Sequence, residues 1–205
     1  MRDFKRIHKS ESDLILEELG YSLIDEYVEF INAAGLNKNR IIFDVATGTG
    51  RAVSILSRSG FNVVTGDSSL ELISEARSRI SESFLTRVTF IKLNLEKIPF
   101  AQSSFGNIVC MNTIHELDNP ETCLNQLSRL RSPEGTFILA DFNERGFDIM
   151  DRVHMVKSGK LHRRGSLSPE QLRNFVYDNF SDITEIKMKL NTGYIIRGRK
   201  KQNEI

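Results

Sequence analysis

One segment combines an acid, two glycines and small residues in a form that can hold a charged ligand. It reads Ile41-Ile42-Phe43-Asp44-Val45-Ala46-Thr47-Gly48-Thr49-Gly50-Arg51. Gly48 and Gly50 permit sharp turns and close approach of a bound group. A helix starting after them offers free N–H groups. Asp67 stands at the end of the next apolar run, where a carboxylate can accept both hydroxyl hydrogens of a ribose. The dinucleotide fingerprint needs a third glycine where Val53 stands, and no G-K-[ST] follows the turn. Asp44 repels a pyrophosphate but suits a ligand carrying an ammonium group and a positive sulfur.

Three of the four histidines form the second chemical set. His115 lies just beyond Asn112, and His154 and His162 lie in the last third of the chain. An imidazole that titrates near neutrality can take a proton from an acceptor, so these three are the catalytic candidates. His115-Glu116 resembles the opening of H-E-x-x-H, but Asn119 occupies the second histidine position. No metal site is therefore expected.

Alternating strands and helices must position these groups. Residues 11–34 have helical periodicity, with Gly20 as an internal break and Gly35 as a stop. Apolar runs predict strands at 41–45, 61–66, 87–93, 106–112 and 136–142. Helical stretches at about 50–59, 70–80 and 120–131 lie between them, and Ser132-Pro133-Glu134-Gly135 stops the last. This alternation predicts a parallel sheet with helices on both faces. Residues 143–160 read as an irregular helix. Ser168-Pro169-Glu170 starts another that runs to about 178. Strands at 183–190 and 193–199 follow, joined by Asn191-Thr192-Gly193 as a tight hairpin, so the sheet ends in an antiparallel pair.

With these elements in place, the sequence resembles the class I S-adenosylmethionine-dependent methyltransferases. Within them it is similar to the ubiquinone/menaquinone-biosynthesis methyltransferase-like group (methyltransferase domain 11/25 type). The family's acid-x-Gly-x-Gly-x-Gly motif matches Asp44 to Gly50, with Ala46 at the first glycine. Further motifs resemble Asp67 to Ile73, Phe90 to Phe100, Ser104 to Leu117 and Leu130 to Leu139, in the family's order. Asn94 and Asn107 stand where the family usually or often has an acid.

The resemblance implies a Rossmann-like, doubly wound, seven-stranded and mostly parallel α/β sheet. Its order would be 3-2-1-4-5-7-6 with strand 7 antiparallel. It also implies that S-adenosyl-L-methionine is the cofactor. Ala46, Thr47, Gly48 and Gly50 would line it through backbone, and Asp44 would orient its ammonium group. Asp67 would hold the ribose, Ser68 would flank the adenine, and Asn94 and Leu95 would cover the adenine edge. Asn112 would lie near the reactive sulfonium. Residues 1–205 are expected to form one domain: an N-terminal helical lid (1–35), the cofactor core (40–142), an acceptor-side insertion (143–167), then the last helix and strand pair (168–205).

The expected reaction is in-line methyl transfer to a small-molecule acceptor. Methylation of nucleic acid or protein is one alternative, and a non-catalytic cofactor-binding sensor or partner subunit is another. Of the 205 residues, 40% are hydrophobic and the net charge is +1, which argues against a general nucleic-acid binder. No aromatic Asn/Asp-Pro-Pro motif follows Asn112. Residues 1–142 carry 15 basic and 19 acidic side chains, and residues 143–205 carry 13 and 8. That asymmetry hints at an anionic or polar acceptor met by Arg145, Arg152, Arg163 and Arg164. The polar start MRDFKRIHKSESD does not read as a signal peptide, and no apolar run could span a membrane. A cytoplasmic location is expected.

Overall fold

The computed structural model describes residues 4–200. Residues 1–3 and 201–205, the ends of the span expected to form one domain, lie outside the described residues. Seven strands form one sheet: β1 (Ile42–Val45), β2 (Val63–Asp67), β3 (Val88–Lys92), β4 (Phe105–Met111), β5 (Arg131–Phe142), β6 (Ile183–Lys187) and β7 (Asn191–Ile196). Their order is β3-β2-β1-β4-β5-β7-β6. The first five pair in parallel, and β7 runs antiparallel to both neighbours. This is the expected doubly wound α/β sheet.

Every residue of β1 is buried, as a central strand covered on both faces requires. Side chains alternate between two cores, the strand period of two at work. Ile42, Val109 and Ile138 face one core, shared with α2 (Leu23–Ala34) and α3 (Arg51–Arg58). Phe43, Ile108 and Phe137 face the other, shared with α6 (Pro120–Leu130) and α8 (Pro169–Asn179). Gly20 separates α1 (Glu11–Glu18) from α2, and Gly35 ends α2 at φ 59°, both as expected.

The structure corrects two local readings. The last hairpin does not turn at Asn191-Thr192-Gly193. The turn is Met188 to Leu190, and those three residues already pair as β7. Gly193 is needed for packing instead: a Cβ there would lie 2.3 Å from the Phe30 ring of α2. The buried Glu26 of α2 accepts from Leu190 N–H at 2.9 Å and Asn191 Nδ2 at 2.7 Å, which pins the segment into the strand. Likewise, Ser132-Pro133-Glu134-Gly135 does not precede β5 but lies within it, where the register against β4 shifts.

The N-terminal helices are held to the core by charge. Asp13 begins α1 in a capping box with Ser10. Its carboxylate takes Arg79 Nη2 at 2.6 Å and Arg51 Nε at 2.9 Å. Arg79 also donates to the carbonyls of Thr49 and His8. Burial alone would raise the Asp13 pKa, but Arg51 foremost, then the Ser10 N–H and Arg79, hold it down at about 2. Removing one partner of a buried pair leaves uncompensated charge. Asp13→Ala should therefore cost about 3 kcal/mol of unfolding free energy at pH 7 by urea titration. Because the folded pKa is depressed, this stabilisation is complete above the ordinary value near 3.8 and is lost as pH falls through about 2. The gap between wild type and variant should narrow over that window.

Candidate active site

The C-terminal ends of β1, β2 and β4 meet at one cleft of about 510 Å³. After β1 the chain turns through Ala46 (φ 56°) and Gly48 (φ 50°). A left-handed alanine is costly, and here the surrounding contacts enforce it. Thr47 N–H binds the Gly66 carbonyl of β2 at 2.9 Å. Asp67 then fixes the turn: Oδ2 accepts Gly48 N–H at 2.9 Å and Oδ1 accepts Ser69 N–H at 3.0 Å. Ala46, Gly48, Asp67, Ser68, Leu95 and Asn112, all expected cofactor residues, line the cleft.

Four expected cofactor residues, Asp44, Thr47, Gly50 and Asn94, lie outside the lining of this cleft. Gly50 caps α3 at φ 85°, and a Cβ there would lie 2.8 Å from Ala76 of α4 (Leu70–Ser78), so this glycine sets helix packing. Thr47 is buried, its hydroxyl 2.7 Å from that of Thr65. Asn94 is exposed and folds back to accept Glu96 N–H at 2.8 Å, leaving its neighbours Leu93 and Leu95 on the cleft wall.

A narrow recess of about 80 Å³ under the loop reaches Asp44, Tyr27 and Met111. It shares Ala46, Gly48, Arg51 and Asn112 with the main cleft. Asp44 is 2% exposed and accepts one hydrogen bond, from Thr65 Oγ1 at 2.7 Å. Burial, reinforced by the charge of Asp67, pushes its pKa up to about 7 against that bond. Asn112 sits at φ 51°, with both atoms of its amide buried and unpartnered. A buried amide left unsatisfied costs about 1–3 kcal/mol, so this is a donor and acceptor pair suited to a polar ligand. A ligand carrying ammonium and hydroxyl groups fits this lining.

The three candidate histidines come together at the other end of the cleft. His115 occupies a short 3-10 turn, Ile114–Glu116, beyond β4. Its Nδ1 is 2.5 Å from Asp141 Oδ1 at the end of β5, and its N–H donates to Asp141 Oδ2. His115 Nε2 lies 2.9 Å from His162 Nε2, and His162 Nδ1 lies 3.1 Å from His154 Nε2. His154 is on α7 (Glu144–Ser158), and His162 N–H is held by Asp151 of that helix. Burial works against charge on His115, but Asp141 and Glu116 outweigh it and raise its pKa to about 9. Burial and the charge of His115 push His162 down to about 4.

Sequence reading missed Asp141, Glu116, Tyr27 and Arg51 as parts of this site. An acid at the end of β5 was the available signal for Asp141. Arg145, Arg152, Arg163 and Arg164 do not line the cleft. Arg163 pairs with Asp118, and Arg164 with Asp148 and Asp151. The expectation that these arginines meet an anionic acceptor is not upheld.

Residues 36–188 match the family described as "Methyltransferase domain". The chain belongs to that family, and its fold is that of the class I S-adenosylmethionine-dependent methyltransferases. It is 28% identical over 115 residues to the demethylmenaquinone methyltransferase of Clavibacter sepedonicus, covering 53% of this chain and 46% of that one. The chain thus spans about half the length of the curated relatives it matches first. Among solved structures, the PH0226 protein of Pyrococcus horikoshii superposes with TM-score 0.69 at 19% identity, covering 84% of this chain and 88% of that one. The glycopeptide N-methyltransferase MtfA complexed with S-adenosyl-L-methionine superposes with TM-score 0.66 at 18% identity, covering 84% and 92%. No helix among the described residues is long and apolar enough to cross a membrane.

The raised pKa of Asp44 has a measurable sign. A carboxyl whose folded pKa exceeds its unfolded value contributes stability below about 4 and loses it as pH rises through about 7. In cofactor-free protein, Asp44→Asn should be more stable than wild type by about 2–4 kcal/mol at pH 8. The two should approach each other as pH falls to about 3.5, as read by urea midpoints.

Proposed function

We propose that this chain transfers the methyl group of S-adenosyl-L-methionine to a small polar acceptor. One observation carries the reading: the glycine loop, Asp67, Asn112, His154 and His162 line the same cleft. Its volume of about 510 Å³ is in the range of small-ligand sites. When bound, the cofactor supplies an activated methyl group on a good leaving group. The chain's own work is then binding and alignment.

In this reading Asp67 holds the ribose hydroxyls while its two backbone donors keep the carboxylate oriented. Ser68, Leu93 and Leu95 enclose the adenine. Asp44 faces the ammonium group from the recess, and the free amide of Asn112 takes the remaining polar contact beside it. Phe142, Met150, His154 and His162 lie on the acceptor side, with His115 behind them. Helices α1 and α2 contribute Ser10, Ser12 and Leu23 to the rim. An acceptor here meets imidazoles and apolar rings rather than a cationic patch. Two buried free thiols, Cys110 and Cys123, fit a reducing, cytoplasmic setting.

Calorimetry with S-adenosyl-L-methionine should give one-to-one binding. Asp67→Asn keeps an acceptor oxygen for the loop but loses the charged contact, and should weaken that binding about tenfold. Unchanged affinity would remove the ribose assignment. Release of S-adenosylhomocysteine across a panel of small hydroxyl, amine and thiol acceptors should identify the substrate class. Tight cofactor binding with no turnover on any of them would favour a sensor.

A further inference from the structure

The histidine cluster has a property that proton transfer alone does not use. Both inner histidines are gripped at Nδ1 by a partner. His115 Nδ1 meets the Asp141 carboxylate at 2.5 Å, so it carries the hydrogen. His162 Nδ1 meets His154 Nε2 at 3.1 Å. With His162 as the donor to His154, its Nε2 is a bare lone pair. That lone pair points at His115 Nε2, 2.9 Å away. A Glu116 carboxylate oxygen lies 3.7 Å from the same His115 nitrogen. All three ligand atoms fall within 4.8 Å of one another.

A proton or a metal ion can fill the gap between the two nitrogens. A proton bridges two nitrogens but leaves Glu116 at 3.7 Å, beyond hydrogen-bond length. A metal ion uses all three. Two imidazole nitrogens each about 2.1 Å from one ion lie about 3.0 Å apart at right angles and about 3.4 Å apart at the tetrahedral angle. The observed 2.9 Å is just below the first of these, and a small opening of the pair reaches the tetrahedral spacing of a low-coordinate ion. Glu116 is more than half exposed, so its side chain can swing in to close the third position. The outer contacts also match: histidines that bind metals donate their other N–H to a carboxylate or similar acceptor, as His115 does to Asp141.

We propose that His115 Nε2, His162 Nε2 and the Glu116 carboxylate hold one divalent first-row transition-metal ion of the zinc type at the acceptor end of the cleft. Two imidazoles and one carboxylate suit such an ion and leave coordination positions open. Glu116, His154 and His162 line the cleft, so the open positions face it. Asp141 and His154 are positioning residues that orient the ligands. The ion's purpose rests on the methyltransferase reading: it would hold an acceptor hydroxyl or amine by its lone pair, beside Asn112.

Zinc(II) titrated by calorimetry into the untagged, chelator-dialysed full chain should bind at one equivalent. Cobalt(II) should give visible absorption bands of a low-coordinate site. His162→Gln and Glu116→Gln should each weaken zinc binding about tenfold or more, and Asp141→Asn by a similar factor through loss of ligand orientation. Glu116 is on the surface, so its variant keeps the test meaningful even if the buried substitutions disturb folding. Absence of stoichiometric zinc, or equal zinc affinity in wild type and Glu116→Gln, overturns the proposal and leaves the gap to a proton. Cofactor calorimetry on the same metal-free sample keeps the two readings apart: cofactor binding without zinc defeats this inference alone, and zinc binding without cofactor defeats only the methyltransferase reading.

Discussion

The site depends on a constraint of topology. β1 and β4 are neighbours, yet the chain winds outward from β1 through β2 to β3 and then returns to continue through β4 to β5. The crossovers on the two sides lead away from each other, so nothing covers the C-terminal ends of β1 and β4. A crevice must open there. Asp44 leaves β1 into it, Asp67 ends β2 beside it, and Asn112 and Asp141 stand at the ends of β4 and β5. Four residues scattered over a hundred positions thus reach one place without any loop having to bring them.

Three of these four are acids, and like charges crowded at strand ends would repel. The structure answers each differently. Asp67 is met by two backbone N–H groups of the turns it shapes. Asp44 has a single hydroxyl and is held out of water, so its affinity for a proton rises. Asp141 is met by an imidazole, by that residue's N–H, and by Phe142 N–H. One uniform motif, acid at the end of a buried strand, therefore yields a hydrogen-bond anchor, a reserve of negative charge and a partner for a buried cation. The differences come from what packs around each carboxylate, since desolvation and hydrogen bonds to the charged form act in opposite directions on its pKa.

Much of this was legible because it was local. Strand-loop-helix order, the loop glycines and the terminal acids follow from side-chain periodicity and turn chemistry, which neighbouring residues decide. What stayed hidden was decided at a distance. Gly193 looked like a turn glycine, but Phe30, far earlier in the chain, is what forbids a side chain there. Nothing in the local pattern showed that the Asn94 oxygen caps its own turn. The three histidines were named from the sequence, but not their contact with one another. H-E-x-x-H failed at Asn119, which was correct for one helix. His162 instead returns past α7, with its ring packed among Phe142, Phe147 and His115. No spacing rule covers an imidazole delivered by a separate element.

The charge asymmetry behind the near-neutral total changes meaning once placed in space. In the first part, its acids are partly spent at strand ends, buried around the cleft. In the last part, Arg164 sits over the Phe147 ring and is bound by Asp148 and Asp151 of the same helix, and Arg163 reaches Asp118. Those cations are matched locally, before any ligand arrives. Exposed pairs of this kind contribute little to stability. Here they tether the segment after α7 to that helix and to the end of the 3-10 turn, and this segment carries His162. Gly165 beyond it lies so close to the His115 carbonyl that a Cβ there would be 2.1 Å from the oxygen. Arg163 and Arg164 thus have a structural role: they fasten the segment that brings the last imidazole to the cleft.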